Sequence, residues 1–145
     1  TGYILEAVGR LKSEGLVFDF GLVEGLPRGQ AIQRYAACDV IIDQVLAGWY
    51  GGLGVEAMAL GKPVVAYIRD GDLGFVAPEL RAALPVISVT PATIADTLRG
   101  IIAMPRIELH AIGAASRAFA LQFDNPREVA KRTLADYQRA RAERR

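Results

Sequence analysis

At 145 residues, 52% of them apolar and 23% charged, the chain has enough hydrophobic side chain for one α/β domain and too much for a disordered segment. A net charge of +1 gives no overall electrostatic case for nucleic acid, and no such partner is expected. One cysteine, Cys38, excludes an internal disulfide, and no run approaches the roughly 18 uncharged apolar residues of a membrane span.

Thr1-Gly2 leads straight into a helical pattern with no initiator Met and no signal peptide, so a piece of a longer, cytoplasmic protein is expected. Ile4, Val8 and Leu11 share one helical face, and Gly15 ends that helix. Residues 16–23 form a predicted strand with Asp19 near its middle. After the break at Pro27-Arg28-Gly29, a second helix is marked by Ile32, Tyr35 and Ala36. Residues 39–43 make a short strand, apolar on both faces as a buried parallel strand is, and Cys38 before it is expected to be a small buried thiol. The glycine-rich run 47–54 opens into a helix that Gly61 and Pro63 stop.

Residues 64–68 are the next buried strand, 69–74 a loop, 78–83 a short helix and 86–89 another strand. Thr90 as N-cap with Pro91 behind it starts a helix whose stripe is Ile94, Leu98, Ile101 and Ile102. Leu109, Ile112 and Phe119 predict a further helix, and Asn125-Pro126-Arg127-Glu128 is a capping box for the last one. The stretch 127–145 is locally basic through Arg127, Lys131, Arg132, Arg139, Arg141, Arg144 and Arg145. A solvated helix face is the first reading of it; an anionic membrane surface or a partner domain is the second. Strands alternating with helices predict a single α/β domain over residues 1–145, built on a doubly wound parallel sheet. Ligands of such sheets sit beyond the carboxyl ends of the strands.

The chemistry concentrates in residues 43–65. Gly51, Gly52 and Gly54 at a helix start let backbone approach a ligand closely and leave N–H groups aimed outward, where the helix dipole adds about half a positive charge. That suits a diphosphate; close helix packing would also select glycine. Glu56 is the one charge in an otherwise apolar helix, so a ligand hydroxyl or a protein donor, with Lys62 as the near candidate, is expected to meet it. Residues 52–57 also match G-x-G-x-x-A, but nine residues separate Ile42 from Gly52, too many for the tight turn of a dinucleotide site. His110 has no second histidine to form a metal site, and Ser13, Ser88 and Ser116 lack a nucleophile-elbow setting. Trp49 and Tyr50 either line a cleft beside the glycines or anchor the loop in the core.

The run ACDVIIDQ…GWYGGLGVEAMALGKPVVAY resembles the signature of retaining GT-B glycosyltransferases (glycosyltransferases group 1), whose C-terminal half carries an E-x7-E pattern ending in EAMA-x-GKPVV. The resemblance covers essentially the whole chain. It implies a Rossmann-like donor-binding domain, the C-terminal half of a GT-B fold, with its N-terminal acceptor domain absent from this chain. The second acid of the pattern falls on Glu56, which implies hydrogen bonding to the donor ribose. Backbone near Gly51, Gly52 and Leu53 would face the diphosphate and sugar, with Tyr50 beside it, and the loop of Val23, Glu24 and Gly25 would border the nucleobase. The first acid falls on Gly48, so the carboxylate that contacts the transferred sugar is missing; Asp43 and Gln44 are the nearest polar residues to stand in. The family's phosphate-binding Arg/Lys pair has no match here. The resemblance also places a further strand at the sheet centre, between residues 16–23 and 39–43.

The resemblance therefore implies glycosyl transfer from a nucleotide diphosphate sugar to an acceptor, with no metal or other cofactor and with no catalytic residue identified. The chain alone is expected to be inactive. Its partners are the nucleotide-sugar donor and the N-terminal domain, with peripheral contact at the inner face of a membrane as the second reading of the basic tail. The rivals are a non-catalytic nucleotide-sugar-binding or interaction module, favoured by Gly48, and a GT-B phosphorylase or epimerase.

Overall fold

The apolar face of the first helix is the face it buries. In the computed structural model, which describes residues 1–143, α1 spans Gly2–Ser13 with Ala7, Val8 and Leu11 buried. It ends in a turn that only glycine adopts cheaply: Gly15 takes φ +88°, its N–H donates to the Lys12 carbonyl at 3.0 Å, and the Leu16 N–H reaches back to Leu11 at 3.2 Å. Arg144 and Arg145 lie outside the described residues.

The order continues with α2 (Arg28–Ala37), β1 (Ile41–Ile42), α3 (Gly52–Ala59) and β2 (Val64–Ala66). A short 3-10 helix (Asp70–Phe75), α4 (Pro78–Ala83), β3 (Ile87–Ser88), α5 (Ile94–Ala103), α6 (Arg106–Phe123) and α7 (Pro126–Glu143) complete it. The sheet is parallel, ordered β1-β2-β3, with Ile41 opposite Val64 and Val65 opposite Ile87. Successive residues of β2 point to opposite faces and feed two clusters. Val65 packs with Leu11 of α1 and Leu98 and Ile101 of α5. Val64 and Ala66 pack with Ala57 and Met58 of α3 and Phe119 of α6. The fold is α/β, with helices on both faces of a three-stranded parallel sheet.

The turn that ends α3 meets α6 at two glycines, Gly61 and Gly113. A Cβ on Gly113 would lie 2.3 Å from the carbonyl oxygen of Gly61, so only hydrogen fits there. The Arg117 guanidinium donates to the Ala59 carbonyl at 2.6 Å beside the same crossing.

Several expectations need correction. Residues 16–23 are not a strand. Leu16, Phe18 and Phe20 are half-buried while Val17 and Asp19 are exposed, which is the alternation of a strand, yet from Val17 to Leu26 no backbone group makes a hydrogen bond among the described residues. Most of the expected loop 69–74 is the 3-10 helix. Helix α5 begins at Ile94, because Thr90 and Thr93 close a turn first: the Thr90 N–H donates to Thr93 Oγ1 at 2.9 Å and the Thr93 N–H to Thr90 Oγ1 at 3.3 Å. Ile102 is exposed and adds nothing to the buried stripe. Asn125 caps α7 through the Arg127 N–H at 3.0 Å, but Glu128 turns to Lys131 at 2.7 Å, so the capping box closes on one side only. Cys38 is half-buried, with its thiol donating to the Arg34 carbonyl at 3.2 Å.

Candidate functional site

The loop from β1 to α3 is held by its own polar side chains. The Asp43 carboxylate Oδ2 accepts the Gly51 N–H at 2.6 Å and the Gly54 N–H at 3.2 Å. Gln44 donates from Nε2 to the Trp49 carbonyl at 2.9 Å, while its own backbone carbonyl accepts the Tyr67 N–H at 2.9 Å. The Gly48 carbonyl accepts the Arg69 N–H at 2.9 Å. Glycine is required where this net is tightest. A Cβ on Gly54 would sit 2.9 Å from Asp43 Oδ2 and 3.0 Å from the Tyr50 Cβ. Gly48 has φ +89°, and a Cβ there would meet the Arg69 guanidinium carbon at 3.1 Å. The backbone at Gly48 is therefore shaped against any larger side chain, a glutamate included.

Asp43 takes two of the amides at the amino end of α3. The Gly51 N–H, expected from the sequence to face a diphosphate, is occupied by this carboxylate. The amides of Gly52 and Leu53 make no hydrogen bond among the described residues, and they carry the helix's positive end.

One turn further along α3, Glu56 is neither isolated nor deeply buried. Its side chain is 31% exposed and its partner is Arg28, the first residue of α2, not Lys62. Arg28 Nε donates to Glu56 Oε1 at 2.9 Å, and Nη2 stands 2.8 Å from that same oxygen. Pro27 sets the start of α2, its carbonyl accepting the N–H groups of Gln30 and Ala31 at 2.9 and 3.0 Å. The ion pair thus brings the end of the loop holding Val23, Glu24 and Gly25 beside α3. Gly25 takes φ +66° in that loop and is exposed.

Tyr50 turns inward. The residue is 9% exposed and its ring meets Phe119 edge-on, with ring centres 6.2 Å apart. Its hydroxyl donates to Asp124 Oδ1 at 3.2 Å, at the end of α6. Of its two sequence readings, the core anchor is the one the structure contains. Burial pushes the Tyr50 hydroxyl well above the ordinary phenol range, and the Asp124 charge adds to it. Burial likewise raises the Asp124 carboxyl, against the pull of the Tyr50 hydrogen bond and of Arg132. Asp124 Oδ2 is buried with no hydrogen-bond partner among the described residues.

A cleft of about 1100 Å³ opens between residues 17–24 and the edge of β1 that faces away from β2. Val23, Glu24 and Leu53 line it; Gly51, Gly52 and Glu56 do not. Among the described residues no group of three or more His, Cys, Asp or Glu is placed to hold a metal ion, and no helix is long and apolar enough to cross a membrane.

Two polar residues of this region escape a reading of the sequence. Arg28 looks there like part of a chain break, although a lone carboxylate in an apolar helix calls for a cation from elsewhere. Asp43 looks like a ligand contact and not like a cap, because its targets lie eight and eleven residues away, beyond any local capping pattern. No protein-family model matches this chain, and a search of curated proteins finds no match either.

Proposed function

We propose that the chain is the donor-binding domain of a retaining GT-B glycosyltransferase, with a Rossmann-like, doubly wound sheet, taking a nucleotide diphosphate sugar as its ligand. The observation that carries the proposal is the start of α3, where two uncommitted amides and the half-exposed Glu56 lie within one turn of each other. Gly52 and Leu53 would receive the diphosphate, whose charge the helix end favours. Glu56 would accept the ribose hydroxyls, and the loop of Val23, Glu24 and Gly25 would border the base. Oriented N–H groups that hold a departing diphosphate stabilise the charge developing in the transition state without reorganising at that moment. The unbonded stretch 17–26, facing β1 across a cleft, suits a sheet with a further strand between them, as the resemblance implies.

Gly48 favours a second reading. Its backbone excludes the acid that would contact the transferred sugar, which fits a module that binds a nucleotide sugar without transferring it. Calorimetric titration of UDP-, GDP- and ADP-sugars into the chain tests the main reading, followed by an assay for acceptor-dependent nucleotide release. Binding of one nucleotide class without turnover is expected, because transfer needs both reactants held in register. Binding of none contradicts the proposal.

A further inference from the structure

Arg28 places two of its three guanidinium nitrogens on one oxygen of Glu56. Nε and Nη2 reach Oε1, at 2.9 and 2.8 Å, and Oε2 makes no hydrogen bond among the described residues. A bidentate pair would have spread over both oxygens. This one leaves a single carboxylate oxygen open. The Arg28 side chain is 81% exposed, and an ion pair so wet contributes little to stability, so folding alone does not demand the contact. Its geometric consequence is larger. A glutamate has three side-chain torsions, and the pair holds it in one orientation from a helix whose start Pro27 already sets.

We propose that Arg28 is a positioning residue for ribose recognition: it fixes Glu56 so that Oε2 is the acceptor for a ribose hydroxyl, making the site selective for ribonucleotides over their deoxy analogues. The inference rests on the donor-binding reading of the α3 start. A buried or half-buried acceptor built to meet a hydroxyl discriminates against the analogue that lacks it, because the acceptor is then left unpaired. Without Arg28, Glu56 samples several rotamers, and ordering it on binding costs about as much as immobilising one flexible side chain.

The test compares UDP, GDP and ADP with their 2′- and 3′-deoxy forms on the wild-type chain, Arg28→Ala and Arg28→Lys. The preferred ribonucleotide should bind Arg28→Ala roughly three- to tenfold more weakly, while its deoxy analogue is held as before, so that the discrimination shrinks. Arg28→Lys, which keeps one cationic donor, should restore part of it. Equal weakening of ribo and deoxy forms would make Arg28 a phosphate contact and overturn the inference. Unchanged discrimination in Arg28→Ala, with or without a lower melting temperature, would make the pair merely structural and overturn it too. A wild-type chain that binds no nucleotide, or binds ribo and deoxy forms alike, removes the donor-site reading itself and this inference with it.

Discussion

The carboxylate of Asp43 and the amide of Gly51 meet at 2.6 Å, and the same oxygen takes the Gly54 N–H at 3.2 Å, so the glycine-rich start of α3 is capped from the residue that directly follows β1. Asp43→Ala should cost about 1–2 kcal/mol, as loss of a helix cap does. Asp43→Asn keeps an acceptor oxygen and should retain most of that. It also removes a negative charge beside the proposed diphosphate, so nucleotide should bind it at least as tightly as wild type. Urea melts and titrations on both variants check this; equal stability of Asp43→Ala and wild type would deny the cap.

Gly48 is where the resembled signature loses the acid that would contact the transferred sugar. At φ +89°, with Arg69 side-chain atoms 3.1–3.2 Å from a Cβ, any other residue is strained and crowded. Gly48→Ala should cost about 1–2 kcal/mol and Gly48→Glu no less. Restoring the acid should therefore destabilise the chain and produce no glycosyl transfer. A Gly48→Glu variant that melts with wild type would show the loop to be adaptable.

Two helical glycines should respond with opposite signs. Gly113→Ala forces a methyl toward the Gly61 carbonyl and should destabilise by about 1–3 kcal/mol. Gly100, in α5 with nothing within 4 Å of its Cβ position, should gain about 0.5–1 kcal/mol as alanine. Melting both variants beside wild type decides it, and a matching sign would contradict the packing described.

These glycines mark what is legible in the sequence. Gly15 and Gly61 end helices by local backbone chemistry, so a residue and its neighbours suffice to place them. The three strands lie inside the predicted ranges because short β-branched runs between helices are local signals too. Residues 16–23 carry the same local pattern and still form no ladder, since pairing depends on a neighbouring strand that no local window contains. The same reason hides Arg28 and Asp43: each acts on a helix start 28 or eight residues away. Tyr50 has two equal readings until Phe119 and Asp124, distant in the chain, are placed beside it.

Acid should act on two carboxyls in opposite directions. Arg99, with Arg10, holds Glu14 below the ordinary glutamate value, so its contribution is present above the unfolded value and lost as pH falls through the folded one. Burial holds Asp124 above the ordinary aspartate value, so its contribution is full below the unfolded value and lost as pH rises through the folded one. Asp124→Asn should therefore remove a loss of stability with rising pH on the acid side of neutrality and melt at or above wild type at neutral pH. Glu14→Gln should remove an acid-side loss that is itself small and shrinks in salt, because the pair is exposed to solvent. Melting temperatures from about pH 3 to 7 check both; an Asp124→Asn variant with the wild-type profile would contradict the first.

Whether Glu56 meets a ribose is tested most directly by nucleotide affinity in Glu56→Ala, measured by calorimetric titration of UDP, GDP and ADP beside melting curves. Removing the charge-assisted hydrogen bond that Glu56 accepts from the ribose should cost about 2 kcal/mol, or some thirtyfold in affinity. Stability should fall by less than about 1 kcal/mol, since the only protein partner lost among the described residues is the exposed Arg28. A variant that binds its nucleotide some thirtyfold more weakly and melts close to wild type is the predicted result. A variant that melts clearly lower yet binds every nucleotide as wild type does would leave Glu56 a structural residue and contradict its role at a ribose.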